Sequence, residues 1–262
     1  MSRAYPSNLT QEQWELLEGL IPPAKVGGRP RSAYMQAVVN AILYILCAGC
    51  AWRMLPSDFP CWQTVYHYFR SWRIDGTLES MNHKLHQWLR VSENREACPS
   101  AAILDSQSVK TATPAAIEVG YDGAKQIKRR KRHLLVDTLG LVVMVVVNAA
   151  NVPERAGAKL VLARLQRVRQ WVDLVVIWVD GGYKDQDFMQ WVMDQYRWMF
   201  QSVLRKDVIN GFLPISQRWK VERTFGWFNW CRRLSKDYEI LPQTSEAFIY
   251  VAIIRIMLRH LA

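Results

Sequence analysis

Ala101-Ala102-Ile103-Leu104-Asp105-Ser106-Gln107-Ser108 and Val175-Val176-Ile177-Trp178-Val179-Asp180-Gly181-Gly182-Tyr183 share one pattern. In each, an apolar run closes on an aspartate and gives way to small or polar residues. Each reads as a buried strand that ends at a polar turn. In open α/β sheets that rim is where ligands bind. A carboxylate there is costly without a counter-charge, which a divalent cation supplies. Taken singly, each aspartate would serve equally well as the cap of the turn that follows it.

The residues around these two runs place them in an alternating pattern. Ala101–Val109 reads as a strand, and His133–Thr138 and Leu141–Val147, which flank Leu139-Gly140, read as a hairpin. Ala156–Gln170 has helical periodicity, Leu174–Val179 reads as a buried strand, and Gln186–Tyr196 as a second helix. Trp198–Leu204 follows as a strand and Arg218–Lys236 as one long helix. Strands alternating with helices call for an α/β core covered on both faces.

Residues 1–90 differ, reading as short helices joined by tight turns. Thr10 and Gln13 have the form of a capping box, with Trp14, Leu16, Leu17, Leu20 and Ile21 as the apolar face behind it. Pro22-Pro23 ends that helix, and a second runs to about Cys47. A third, from about Trp62 to Ile74, carries Gln63, Thr64, His67, Arg70, Ser71 and Arg73 among its aromatics, and a fourth spans Leu78–Leu89. This succession suggests a helix-turn-helix-like DNA-binding domain with Arg70 as a phosphate contact. A plain helical bundle with a solvated face fits the same pattern. The polar stretch 91–100, broken by Pro99, reads as a linker, so the α/β domain spans 101–262.

Composition narrows the function. Lys and Arg total 34 against 23 acidic residues, a net charge of +11, which suits a polyanionic partner. No apolar stretch reaches the roughly 18 residues of a spanning helix, and Met1–Pro6 lacks the basic-then-apolar build of a secretion signal. A membrane or exported protein is not expected. The five scattered cysteines lack the spacing of a four-ligand zinc site. No G-x-S-x-G, H-E-x-x-H or G-x-x-x-x-G-K is present, which argues against Ser/His hydrolysis, zinc peptidase chemistry and ATP-driven work.

Two further features carry charge in a pattern. On a continuous helix Arg218, Glu222, Asn229, Arg233 and Lys236 would project within roughly 40° of one another, setting one acid in a basic stripe. Such a stripe suits phosphates held on either side of a metal ligand. Lys128-Arg129-Arg130-Lys131-Arg132-His133 is the densest basic run in the chain and is expected on a turn before the hairpin, touching DNA phosphates. Three hard oxygen ligands, Asp105, Asp180 and Glu222, suit two Mg²⁺ or Mn²⁺ ions and phosphodiester chemistry.

Together these motifs resemble the DDE-type transposases of bacterial insertion sequences, close to the Insertion Sequence Five family. The resemblance runs through Tyr5-Pro6-Ser7-Asn8-Leu9-Thr10, Trp52–Pro56, Asp105–Lys110, Lys131–Gly140, Asp180–Tyr183, Arg218–Phe225 and Arg232–Glu239. It implies an RNase H-like catalytic domain with Asp105, Asp180 and Glu222, 75 and 42 residues apart, as catalytic metal ligands. The second gap leaves no room for a large inserted domain. In the wider Tyr-x2-Arg-x3-Glu-x6-Lys signature Arg218 and Glu222 are in place, while Ile215 and Asn229 stand at the Tyr and Lys positions.

The resemblance also implies phosphate contacts from Arg130, Lys131, Arg132, Arg218, Lys220, Arg223, Arg232, Arg233 and Lys236. Its expected partners are double-stranded DNA, as element ends and as target, and a second copy of the chain or a higher assembly. The place implied is the bacterial cytoplasm, associated with the nucleoid. Rival readings are an RNase H-like endonuclease that cuts without joining, and a non-catalytic DNA-binding regulator derived from a transposase. A glycosidase with paired carboxylates fits the basic field poorly.

Overall fold

The computed structural model describes residues 5–24, 27, 31–122, 126–168, 173–202 and 218–262. The chain forms two compact units. The first contains Met1–Asn94, Phe228–Ser235 and Ala247–Ala262; the second contains Arg95–Trp227 and Lys236–Glu246.

The first unit is helical: α1 (Gln11–Glu18), α2 (Met35–Ala48), α3 (Trp62–Ile74) and α4 (Thr77–Ser92), with most of α8 (Pro242–Leu261). The capping box forms as its sequence requires. The Thr10 hydroxyl accepts from the Gln13 amide, and the Gln13 side chain accepts from the Thr10 amide. Asp75-Gly76 turns α3 into α4, with Gly76 at φ 79°, where a side chain would be strained. The core of this unit is built from Val38, Ile42, Leu46, Val65, Phe69, Leu85 and Phe248, all essentially buried. The ring of Phe248 lies 4.7 Å from that of Phe69 and 5.9 Å from that of Trp52. The sequence pattern ends the helical unit near residue 90 and shows no sign of α8. Residues from α8 nevertheless complete this core.

The second unit holds a six-stranded sheet: β1 (Ala101–Lys110), β2 (Gly120–Asp122), β3 (Ile127–Asp137), β4 (Val142–Ala149), β5 (Val176–Val179) and β6 (Met199–Ser202). The order is β2-β3-β1-β5-β6, with β4 also paired to β3. β3 runs antiparallel to β1, β2 and β4, whereas β1–β5 and β5–β6 are parallel. Parallel neighbours need crossovers, and α5 (Glu154–Val168) and α6 (Gln186–Tyr196) supply them. α5 buries Gly157, Ala158, Val161, Leu162 and Leu165, a helical repeat, against a cluster with Leu104, Val143, Ile177 and Phe200. The hairpin between β3 and β4 closes where expected. Gly140 adopts φ 79°, and the Asp137 carboxylate accepts from the Leu139 and Leu141 amides. No helix among the described residues is long and apolar enough to cross a membrane.

Three expectations change. Lys128–His133 is not a turn but the body of β3, paired with β1 on one side and with β4 on the other. The long helix is broken: α7 (Trp219–Phe228) ends before Asn229, and Arg232–Leu234 forms a separate 3-10 turn. Asn229, Arg233 and Lys236 therefore do not continue the stripe of Arg218 and Glu222. The turn expected directly after Asp105 does not form: Ser106-Gln107-Ser108 stays in β1, as the strand read over Ala101–Val109 requires, paired to β3 as far as Lys110.

Candidate active site

Sheet register brings the two aspartates together. β1 pairs with β5 only as far as Ile103 opposite Trp178. Carried two residues further, the same register sets Asp105 opposite Asp180, where β5 has ended and the rim opens. Asp105 thus keeps its strand geometry toward β3 while its other flank is free.

Each carboxylate is tied down locally. Asp105 Oδ1 accepts from the Ser106 amide at 2.7 Å, and Asp180 Oδ1 accepts from the Gly182 amide at 2.8 Å. Their other oxygens converge on one cation: Arg218 Nη2 lies 3.4 Å from Asp105 Oδ2 and 3.8 Å from Asp180 Oδ2. Burial pushes the Asp105 carboxyl up to about 6, against the Ser106 amide and Arg218, which favour its charge. Beneath the pair lies Tyr183, wholly buried. Burial, then the charges of Glu154, Asp105 and Asp180, holds its hydroxyl above the usual phenol range.

Glu222 lies on α7 one turn beyond Arg218 and is exposed. Among the described residues no three His, Cys, Asp or Glu side chains gather closely enough to hold a metal ion. Asp105 and Asp180 meet at Arg218, and Glu222 makes no metal-holding cluster with them among the described residues. The acid that does approach is one the sequence reading missed, Glu154, in the first turn of α5. Ser106 Oγ donates to Glu154 Oε1 at 3.3 Å. Glu154 Oε2 lies 2.7 Å from where a Gly182 Cβ would stand. Its only signal in sequence is an acid just past a strand and Pro153, at the start of a crossover helix.

The basic residues divide sharply. Arg70, Arg232 and Lys236 are exposed, while Arg218, Lys220 and Arg223 are half-buried. Arg223 is stacked between Trp219 and Trp227, its guanidinium carbon 4.7 and 4.8 Å from their ring centres, and donates to the Leu139 carbonyl. Lys131 is half-buried and its ammonium donates to the Val152 carbonyl.

Arg130, Arg132 and Arg233 are buried, which removes them from the phosphate-contact set. Arg130 pairs with Asp237 at 3.2 Å and donates to the carbonyls of Ile117, Glu239 and Ile240. Arg132 donates to the Lys236 carbonyl. Arg233 donates to the Cys50 carbonyl and lies over the Phe248 ring. Their charges are spent on holding this chain's own backbone.

The strand order and directions agree with an RNase H-like α/β domain, with Asp105 on β1 and Asp180 just past its parallel neighbour β5. Comparison with known proteins makes the class specific. A model described as "Transposase DDE domain" matches residues 96–257, and one described as "Putative transposase of IS4/5 family" matches residues 9–82. A curated relative from Burkholderia cepacia, "Insertion element IS402 uncharacterized 16.2 kDa protein", is 28% identical over 108 residues, covering 39% of this chain and 72% of the relative. The chain belongs to the DDE transposases of bacterial insertion sequences.

Proposed function

We propose that this transposase binds the terminal inverted repeats of its insertion sequence, cleaves there, and joins the freed 3′-OH to target DNA. The observation that carries the reading is the convergence of Asp105 and Asp180 on one cationic nitrogen at the open rim of the sheet. A cation placed there meets carboxylate oxygens from both strands, so the donor set fits Mg²⁺ or Mn²⁺. Asp105 and Asp180 would hold two such ions, with Glu222 completing the set. When bound, the ions supply activation of the attacking oxygen and stabilisation of the leaving one.

The chain's own groups set the geometry. Amides of Ser106 and Gly182 orient the two carboxylates. Arg218, beside both acids, is placed to neutralise a phosphate oxygen as charge develops. In the first reaction a water oxygen bonds to phosphorus at the element boundary. The P–O3′ bond breaks, and O3′ leaves with a proton. In the second that 3′-oxygen bonds to a target phosphorus and displaces the target's own O3′. The helical unit would recognise the ends and the unit with the sheet would carry the chemistry, the chain passing from one to the other within 91–100. Exposed Arg70, Arg232 and Lys236, with Lys131, Lys220 and Arg223, would hold phosphates. Two ends handled together call for a dimer or larger assembly on DNA, in the bacterial cytoplasm.

The test is a supercoiled plasmid carrying the native element ends, incubated with protein and Mn²⁺, with 3′ ends mapped. Cleavage at the repeat boundaries followed by joining, lost in each of Asp105→Asn, Asp180→Asn and Glu222→Gln, is expected. Cutting without joining would replace this reading by an endonuclease, and end binding with no breakage by a regulator.

A further inference from the structure

Glu154 has no place in the triad, yet the fold sets it beside Ser106 and Gly182, whose amides hold the two aspartates. β4 delivers the chain to the rim, Pro153 follows, and α5 starts at Glu154, where a helix N-terminus favours negative charge. Ser106 faces two ways: its amide donates to Asp105, and its hydroxyl donates to Glu154. Gly182 is placed likewise in the turn that follows β5. Its amide donates to Asp180, and Glu154 Oε2 occupies the space that a side chain at Gly182 would fill. A single carboxylate thus hydrogen-bonds the segment bearing Asp105 and packs against the turn bearing Asp180.

Charge gives the bridge a second effect. Asp105, Asp180 and Glu154 all bear on the buried Tyr183 hydroxyl, which makes no hydrogen bond of good geometry. Against three carboxylates the described ion pairs set one guanidinium, that of Arg218. Partly buried negative charge left over in this way favours a further cation.

We infer that Glu154 is a positioning residue of this site: it fixes the two aspartates relative to each other and adds its charge to the field that draws their divalent cation. The inference rests on the reading of Asp105 and Asp180 as metal holders. Groups that orient metal ligands typically change affinity by about 10- to 100-fold when altered.

The experiment is Mn²⁺ binding to the full chain without DNA, followed by calorimetry and by the electron paramagnetic resonance signal of free Mn²⁺, with melting temperatures in parallel. Glu154→Gln retains an acceptor for Ser106 but loses the charge, and Gly182→Ala displaces the Glu154 carboxylate without removing it. Both are expected to weaken Mn²⁺ binding by about 10-fold or more at little change in melting temperature, while Asp105→Asn abolishes it. Wild-type affinity in Glu154→Gln, with binding lost in Asp105→Asn, overturns the role of Glu154 and leaves the metal reading standing. Equal binding by wild type and Asp105→Asn, or binding by neither, overturns both.

Discussion

Arg218 and Asp105 form an ion pair at 3.4 Å between side chains only 15% and 14% exposed, and the same guanidinium nitrogen lies 3.8 Å from Asp180. A cation supplied by the chain thus sits against the two carboxylates that a divalent ion would use. Arg218 steadies the pair when no metal is bound and competes with metal when it arrives. Arg218→Gln should cost on the order of 1 kcal/mol without metal, and Mn²⁺ should then raise its melting temperature more than that of wild type. Equal Mn²⁺ shifts in the two proteins would show that Arg218 and metal do not compete.

Arg130 looks like a DNA contact in the sequence and is a strut in the structure. It is wholly buried, and it satisfies Asp237 and three backbone carbonyls from two distant segments. Arg130→Met takes the ion-pair partner from Asp237 and leaves it the Ser245 hydroxyl and the Glu239 amide, and breaking a buried pair in this way costs about 3–5 kcal/mol. Urea unfolding should show that loss. Arg70→Ala, at an exposed site, should leave stability unchanged and reduce the salt slope of DNA binding by about one. Were Arg130→Met to fold normally and bind DNA weakly, the assignment of strut and contact would be reversed.

Sequence reading recovers elements whose causes are local and misses those set by distant partners. The Leu139-Gly140 hairpin, the Thr10 capping box and the strands bearing Asp105 and Asp180 depend on residues within a few positions. The run Lys128–His133 is read wrongly because six potentially cationic groups suggest solvent. In β3, Arg130 and Arg132 instead point to partners on Lys236–Ile240, more than 100 residues away. The helix from Arg218 breaks at residues 229–231 although no proline marks the place. α8 is largely buried over Ala247–Ile254, so it lacks the one-sided stripe that reveals a surface helix. Glu154 belongs to the site through strand order alone, which no spacing along the chain encodes.

Gly157 is small because His133 needs the space. A Cβ at Gly157 would lie 2.1 Å from His133 Cε1, and the ring is anchored on β3 between two paired strands. Gly157→Ala should therefore destabilise the second unit by about 1–3 kcal/mol, the usual cost of overpacking a core, despite alanine's better helix propensity. The denaturation midpoint reports this directly. A stabilised Gly157→Ala protein would mean that α5 or the ring moves freely to make room.

The same histidine gives the fold a pH dependence of defined sign. Burial is the main cause that depresses His133 from 6.5 to about 4, with Lys131 acting in the same direction and the hydrogen bond to Asn148 opposing them. Above pH 6.5 folded and unfolded chains both carry it neutral, and its full contribution to stability is present. Between pH 6.5 and 4 the unfolded chain takes up a proton that the folded chain refuses. Stability therefore falls with pH, by at most about 1.4 kcal/mol per unit and about 3 kcal/mol in all. His83 in the helical unit is depressed to about 4 as well, first by burial, and adds a loss of the same sign. His133→Gln should flatten only part of the slope when urea midpoints are compared at pH 7, 5.5 and 4.5. Parallel slopes in wild type and variant would mean that His133 is protonated in the folded chain already at pH 5.5.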